Sequence, residues 1–500
     1  MKKLLIACLM FSLAGQLTAA HFDMTPAYSK AYLEILRLRF GTACSIMNHE
    51  KEKDPSNVAD AYLMAYLDFL KTLISEEDQN YAALQKNKIV RIKKIESVSS
   101  ISPWRLYALG QLNLQSGMAS AKTGDFVKAA LDIKKAYSQF SENQRRFPAF
   151  KPNKAGMGLL HVLLGTIPES YRWITGLFGM EGDVKEGLSE LQSLLTSVST
   201  DNEYPYLYNE CIFITTFITF NLTITDESEA SMLHVLENDK TSREIKNNPL
   251  LIYAVASFYS NRGMNDKALA LLSGRPLDNS YYEFHYLDYL TGVTLLNKLD
   301  KSARIYFLKY ITNFKGKNFI KASYQRLAWS YLIEGDLAGY KKFISRVKLF
   351  GDDKMDNDRE ALNEANRNTI PDLRLLKVRL LFDGGYYEPA EKLLNQLSPI
   401  TLSEQGNVEY LYRTARINHK KGDLLKAKHL YYETYAKGKA FTTFYAANSM
   451  LNLGNIYEQE RNSRQALWCY KQCFILDFNE YHNSITQKAK AGINRLSVKH

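Results

Sequence analysis

Apolar positions along most of this chain recur at i, i+3, i+4 and i+7, the spacing of one face of an α-helix. "AYSKAYLEILRLRF" and "ADAYLMAYLDFLKTLI" show it within the first hundred residues. The helical segments are separated by short turns rich in Gly, Asp and Asn, so the chain reads as successive helix pairs. One segment breaks the period: "YLYNECIFITTFITFNLTI" is β-branched and scores as a strand by propensity. Lying between helical segments, it is expected to be a buried helix. The most apolar internal stretch, "GMGLLHVLLGTIPESYRWITGLFGMEGD", runs from Gly156 to Asp183. Pro168 divides it into halves too short for the ~20 residues of a membrane span. The expected form is a helix–Pro–helix insert with Leu160, Leu164, Trp173 and Phe178 buried. Gly179 and Gly182 would end its second helix, and Asp183 would cap the next. Those four side chains on one exposed face would instead mark an interfacial membrane helix.

Toward the C-terminus, "MLNLGNIYEQERNSRQALWCYKQC" places Leu453, Gly454, Tyr457, Ala466, Tyr470 and Cys473 in a bulky, small, aromatic, turn, Ala, aromatic, small order. The frame recurs with Gly422, Ala427 and Tyr431, with Gly385, Ala390 and Leu394, and with Tyr331, Gly335 and Tyr340. It recurs again with Tyr259, Gly263 and Ala268, with Ala303 and Phe307, and near the front with Gly124 and Ala129. This pattern resembles the tetratricopeptide repeat (TPR), two antiparallel helices whose small residues allow close approach and whose aromatics fill the gap. Anchors at 268, 303, 340, 390, 427 and 466 step by 35, 37, 50, 37 and 39, so loops or helices are lengthened. The long step holds "GDDKMDNDREALNEANRNTIPD", read as an acidic surface excursion.

The Gly156–Asp183 stretch continues into "VKEGLSEL", with Ile167-Pro168, Gly182-Asp183 and Gly187-Leu188 in order. That block resembles the TPR proteins of the inclusion-body-clearance (Iml) and tetratricopeptide-39 type. The resemblance implies the architecture and a non-catalytic scaffold; the cellular roles of those intracellular relatives do not transfer to a chain with an export signal.

The expected fold is therefore all-α: a right-handed superhelical solenoid of TPR-like antiparallel helix pairs. Residues 1–20 would be a signal peptide and 21–100 an N-terminal helical section. A TPR-like pair would fill 101–150, and the apolar insert with its flanking helices 151–245. Repeats would occupy 246–350, an acidic loop 351–371, further repeats 372–480, and a capping helix 481–500.

Composition refines this. Of 500 residues, 46% are hydrophobic and 23% charged, enough for a large core. "MKKLLIACLMFSLAGQLTAA" has a basic start, an apolar run and small residues at its end, as in a secretory leader. The mature chain would begin at His21 and carry no transmembrane segment. Lys-, Asn- and Tyr-rich usage fits a Gram-negative bacterium of the Bacteroidetes type, with the protein periplasmic or peripheral to the outer membrane. The net charge of +11 then points to acidic envelope partners and away from nucleic acid. Cys469 and Cys473, one helical turn apart, suit core packing better than a metal pair.

Chemistry is sparse. The chain has no Walker loop, nucleophile elbow, H-E-x-x-H or dinucleotide fingerprint. No catalytic residue, cofactor or metal is expected, and His161 is read as a core histidine bonded to backbone. Residues 298–350 concentrate twelve Lys and Arg against three acids. Lys309, Lys315, Lys317, Lys321, Arg326, Lys341 and Lys342 make up the candidate basic patch. The expected function is binding of a protein or peptide partner in the cell envelope, with inner-helix tyrosines as first contacts. The alternative is an anionic glycan or lipid headgroup on the basic segment.

Overall fold

The structure, a computed structural model, describes residues 19–167, 179–200, 203–221, 226–367 and 369–497. Residues 1–18, together with Pro168, Trp173 and Phe178, lie outside the described residues. The chain is all-α. The described residues form twenty-five α-helices and no strand, only an isolated bridge between His21 and Asn57. No described helix is long and apolar enough to cross a membrane.

In chain order the helices are α1 (Pro26–Leu36), α2 (Phe40–Lys53), α3 (Ala59–Ser75), α4 (Asp78–Glu96), α5 (Pro103–Thr123), α6 (Phe126–Arg146), α7 (Lys151–Gly165), α8 (Val184–Val198), α9 (Pro205–Asn221), α10 (Asp226–Leu236) and α11 (Asp239–Lys246). They continue as α12 (Pro249–Asn261), α13 (Asn265–Ser273), α14 (Tyr286–Asn297), α15 (Ala303–Asn313), α16 (Ile320–Leu332), α17 (Leu337–Ile344), α18 (Asp356–Asn366), α19 (Leu373–Asp383) and α20 (Tyr387–Asn395). The last five are α21 (Glu404–Lys420), α22 (Leu424–Gly438), α23 (Tyr445–Gln459), α24 (Ser463–Ile475) and α25 (His482–Ser497). Two compact units result. The first takes residues through 219 with 230–254 and 275–284; the second takes 220–229, 255–274 and 285 onward.

The turn inside each pair explains the recurring Gly-Asp. Leu38, Gly124, Gly263, Leu299, Gly335, Gly385, Gly422 and Arg461 all have positive φ. At each, the amide N–H bonds the carbonyl three residues back, and the next N–H bonds the carbonyl five back, as with Gly422 to His419 and Asp423 to Asn418. This is the Schellman helix stop, whose left-handed residue glycine occupies most cheaply. The following residue then starts the next helix: the side chains of Asp125, Asp336, Asp423 and Asn462 accept N–H bonds from Lys128, Gly339, Lys426 and Gln465.

Burial follows the repeat. Ala268, Ala303, Ala390, Ala427, Ala466, Tyr470 and Cys473 are fully buried, and Ala129 and Tyr340 nearly so. Gly454 sits against Tyr470, where a Cβ would lie 2.4 Å from the ring. Cys44, Cys211, Cys469 and Cys473 are free, and the last three are buried.

The β-branched segment forms α9, as its helical neighbours imply. Inside it, Thr215 and Thr219 satisfy their buried hydroxyls on the carbonyls of Cys211 and Thr215. α9 also carries Glu210 into a set of buried tyrosines in the first unit. Tyr32 and Tyr66 donate to Glu210 Oε1 at 3.1 and 3.2 Å, and Tyr62 donates to Tyr32. In the apolar insert, Leu160 and Leu164 are buried, and Asp183 caps α8 through the N–H groups of Lys185 and Glu186.

In the second unit helices pack on their chain neighbours from α13 to α17 and again from α19 onward, α19 also packs on α14, and α25 packs on α23 and α24. The acidic excursion is not a loop: it holds α18, packed on α16. Two of its acids engage α16 and its neighbours. Asp358 accepts the N–H groups of Phe319 and Ala322 at 2.6 and 2.9 Å, capping α16. Glu364 accepts from Trp329, Gln325 and Tyr340. A run of acids reads as solvated surface, but each of these carboxylates repays its burial with two or more donors.

Further along the second unit, the turns of the first and fourth pairs meet. A Cβ at Gly385 would lie 1.8 Å from the carbonyl oxygen of Gly263. Tyr386 donates to Asp266 at 2.8 Å and accepts from Asn265 at 3.1 Å.

Candidate functional site

Taking the positive-φ turn residue as origin puts the inner helices of the second unit in one register. Six residues before it stand Val293, Trp329, Arg379 and Arg416; two before it stand Asn261, Asn297, Asp383 and Lys420. These two rungs are four residues apart, so they share a helix face. All eight residues line one pocket of about 390 Å³, joined by Arg262, Arg326 and Phe382. Four arginines and a lysine therefore face one carboxylate, Asp383.

Aromatic rings fix the guanidinium groups. Arg379 lies 4.8 Å from the Trp329 ring, Arg416 4.1 Å from Phe382, and Arg326 5.4 Å from Tyr289. Asp383 stands between Arg379 and Arg416 at 3.8 and 3.7 Å, beyond hydrogen-bond length. Arg379 also donates to Tyr481 at 3.0 Å. Arg262 pairs with Glu229 at 2.6 Å. Lys488, on α25, feels Arg416 and Arg262; partial desolvation, then these like charges, hold its ammonium below the ordinary lysine value. With Arg262 paired to Glu229, the cations Arg326, Arg379, Arg416 and Lys420 share one lining carboxylate, so the pocket carries net positive charge.

Three residues of the candidate patch are engaged elsewhere. Lys321 is buried and donates to the Val347 carbonyl at 2.8 Å, and Lys309 pairs with Asp288 at 3.2 Å. Arg326 joins the pocket, while Lys315, Lys317, Lys341 and Lys342 are exposed. The repeat tyrosines serve packing. Tyr259 and Tyr470 are buried, Tyr331 lies beneath the Arg304 guanidinium at 3.8 Å, and Tyr457 lies near Lys428 at 5.4 Å. Leu453 is buried as well. His161 is half-buried and bonds Glu190 rather than backbone. Sequence reading missed Arg262, Arg379, Arg416 and Lys420; the repeat frame, read six and two residues ahead of each turn, would have found the last three.

The helix pairs, Schellman stops and buried alanines give the chain a TPR-like fold. Comparison with known proteins adds little to that geometry. No protein-family profile matches the chain, so the resemblance to the inclusion-body-clearance type gains no support, and no curated protein matches. Among solved structures, a chain from "Crystal structure of APC/C hetero-tetramer Cut9-Hcn1" is similar at 15% identity and a TM-score of 0.28, covering 95% of this chain and 90% of its own. Similarity that low carries no inference about function.

Proposed function

We propose that this protein is a non-catalytic scaffold for a protein or peptide partner in the cell envelope. An acidic segment of the partner would seat among Arg326, Arg379, Arg416, Lys420 and Lys488. The observation that carries the reading is the pocket itself: Arg326, Arg379, Arg416 and Lys420 line it against one carboxylate that none of them reaches at hydrogen-bond distance. Periplasmic or peripheral outer-membrane placement is supported by the leader-like first twenty residues.

Fluorescence anisotropy with a labelled oligoglutamate peptide tests the pocket. Wild type should bind, and binding should weaken as salt rises, because exposed charge attraction is screened within about 10 Å at 0.1 M salt. Arg379→Glu with Arg416→Glu should abolish binding. Lys420→Glu with Lys488→Glu, on exposed side chains, should weaken it without affecting the fold. Equal binding by wild type and both double variants would refute the reading. Mild crosslinking in the envelope fraction should then recover a protein partner that the Arg379/Arg416 variant loses.

The second reading keeps one observation in its favour: Lys315, Lys317, Lys341 and Lys342 remain exposed. Lys341→Glu with Lys342→Glu should reduce binding to anionic vesicles if a lipid headgroup is the ligand. Lys321 is unsuitable for this test because its charge is buried against Val347.

A further inference from the structure

One cluster in the first unit has the donors of a transition-metal site. His161 on α7, with Glu186 and Glu190 on α8, presents a ring nitrogen and two carboxylate oxygens all within 4.8 Å of one another. His161 Nδ1 is 2.8 Å from Glu190 Oε2. Glu186 and Glu190 are four residues apart on one helix, so their charges face each other and repel. Among the described residues no lysine or arginine pairs with either. The two helices meet backbone to backbone. A Cβ at Gly187 would lie 2.5 Å from the Gly158 carbonyl oxygen, and one at Gly182 would lie 2.7 Å from that of His161. The frame carrying the three donors is thus set by packing, and only side-chain rotation separates them from convergence.

We propose that His161, Glu186 and Glu190 bind one divalent transition-metal ion of the zinc or cobalt kind. Such ions take imidazole nitrogen and carboxylate oxygen at about 2.0–2.2 Å. Glu186 is exposed and free to swing inward. Calcium and magnesium prefer six or more oxygens, which this mixed trio does not supply. Two carboxylates balance the charge of the ion, and three protein ligands leave a coordination position open to water or to a donor from another molecule.

Titration of the full chain with Co²⁺, followed by the visible absorption of the bound ion, tests the site. Wild type should bind one equivalent. His161→Ala should lower the affinity at least about tenfold, the least that even supporting residues of metal sites cost. Glu186→Gln, on an exposed position, should do the same with the helical circular dichroism unchanged, which covers the case in which the His161 variant does not fold. A wild type without a saturable signal, or a Glu186→Gln variant that binds as wild type does, overturns the site.

Discussion

Replacing Glu210 by Gln removes an ionisable acid from the tyrosine cluster of the first unit while keeping an oxygen that can accept from Tyr32 and Tyr66. Burial raises the Glu210 carboxyl from 4.5 to about 7, against the two tyrosine hydroxyls that favour its ionised form. The native state therefore holds a proton that the unfolded chain has released across the window from about pH 4.5 to pH 7. Stability contributed in this way is present below the unfolded value and is lost as pH rises through the folded value. The full span of the raised value corresponds to on the order of 3 kcal/mol, and the part falling between pH 5 and pH 8 to about 2.5 kcal/mol. Gln carries no such dependence. Urea unfolding of wild type and Glu210→Gln at both pH values isolates the effect, because every other titrating group cancels in the difference. Relative to wild type, the variant should gain about 2.5 kcal/mol between pH 5 and pH 8. A difference that stays constant within about 0.5 kcal/mol would show that Glu210 is ionised in the folded state throughout.

Gly385→Ala should destabilise the second unit by more than about 2 kcal/mol, since it combines a left-handed backbone with a blocked approach to Gly263; Gly422→Ala, with the same φ sign and open space, should cost only about 1 kcal/mol. Thermal unfolding of the pair reads the contrast, and equal melting points would refute the contact. Gly454→Ala should cost about 1–3 kcal/mol by overpacking against Tyr470, measured by urea unfolding. Asp358→Ala should cost about 2 kcal/mol, because the N–H groups of Phe319 and Ala322 lose their acceptor; hydrogen exchange at the start of α16 should rise with it.

The helix pairs were legible because their determinants are local. A left-handed stop, a capping aspartate and an alanine five residues after the stop all fall within one short window, so Gly422, Asp423 and Ala427 announce themselves. Leu38, Leu299 and Arg461 make the same stop without glycine, and only the hydrogen bonds reveal them. The pocket was not legible in the same way. Arg262 and Arg416 are far apart in sequence and meet only because successive inner helices turn the same face inward. Local charge density pointed instead at 298–350, where neighbouring basic residues project in different directions: Lys317 outward, Lys321 into the core. The acids of 351–364 misled for the converse reason. Their donors, such as the N–H of Phe319 and the indole of Trp329, lie on other elements, and composition carries no trace of them.

The meeting of Gly263 and Gly385 has a consequence for how this chain can change. Repeat arrays commonly lengthen or shorten by whole units, because each unit touches only its neighbours. Here the first and fourth units of the second half are pinned to each other across the two between them. Removing or adding a unit inside that span would pull the two glycines out of contact and open the wall around Arg326, Arg379 and Arg416. The number of units is thereby counted by the fold itself, as a clasp fixes the number of links in a bracelet.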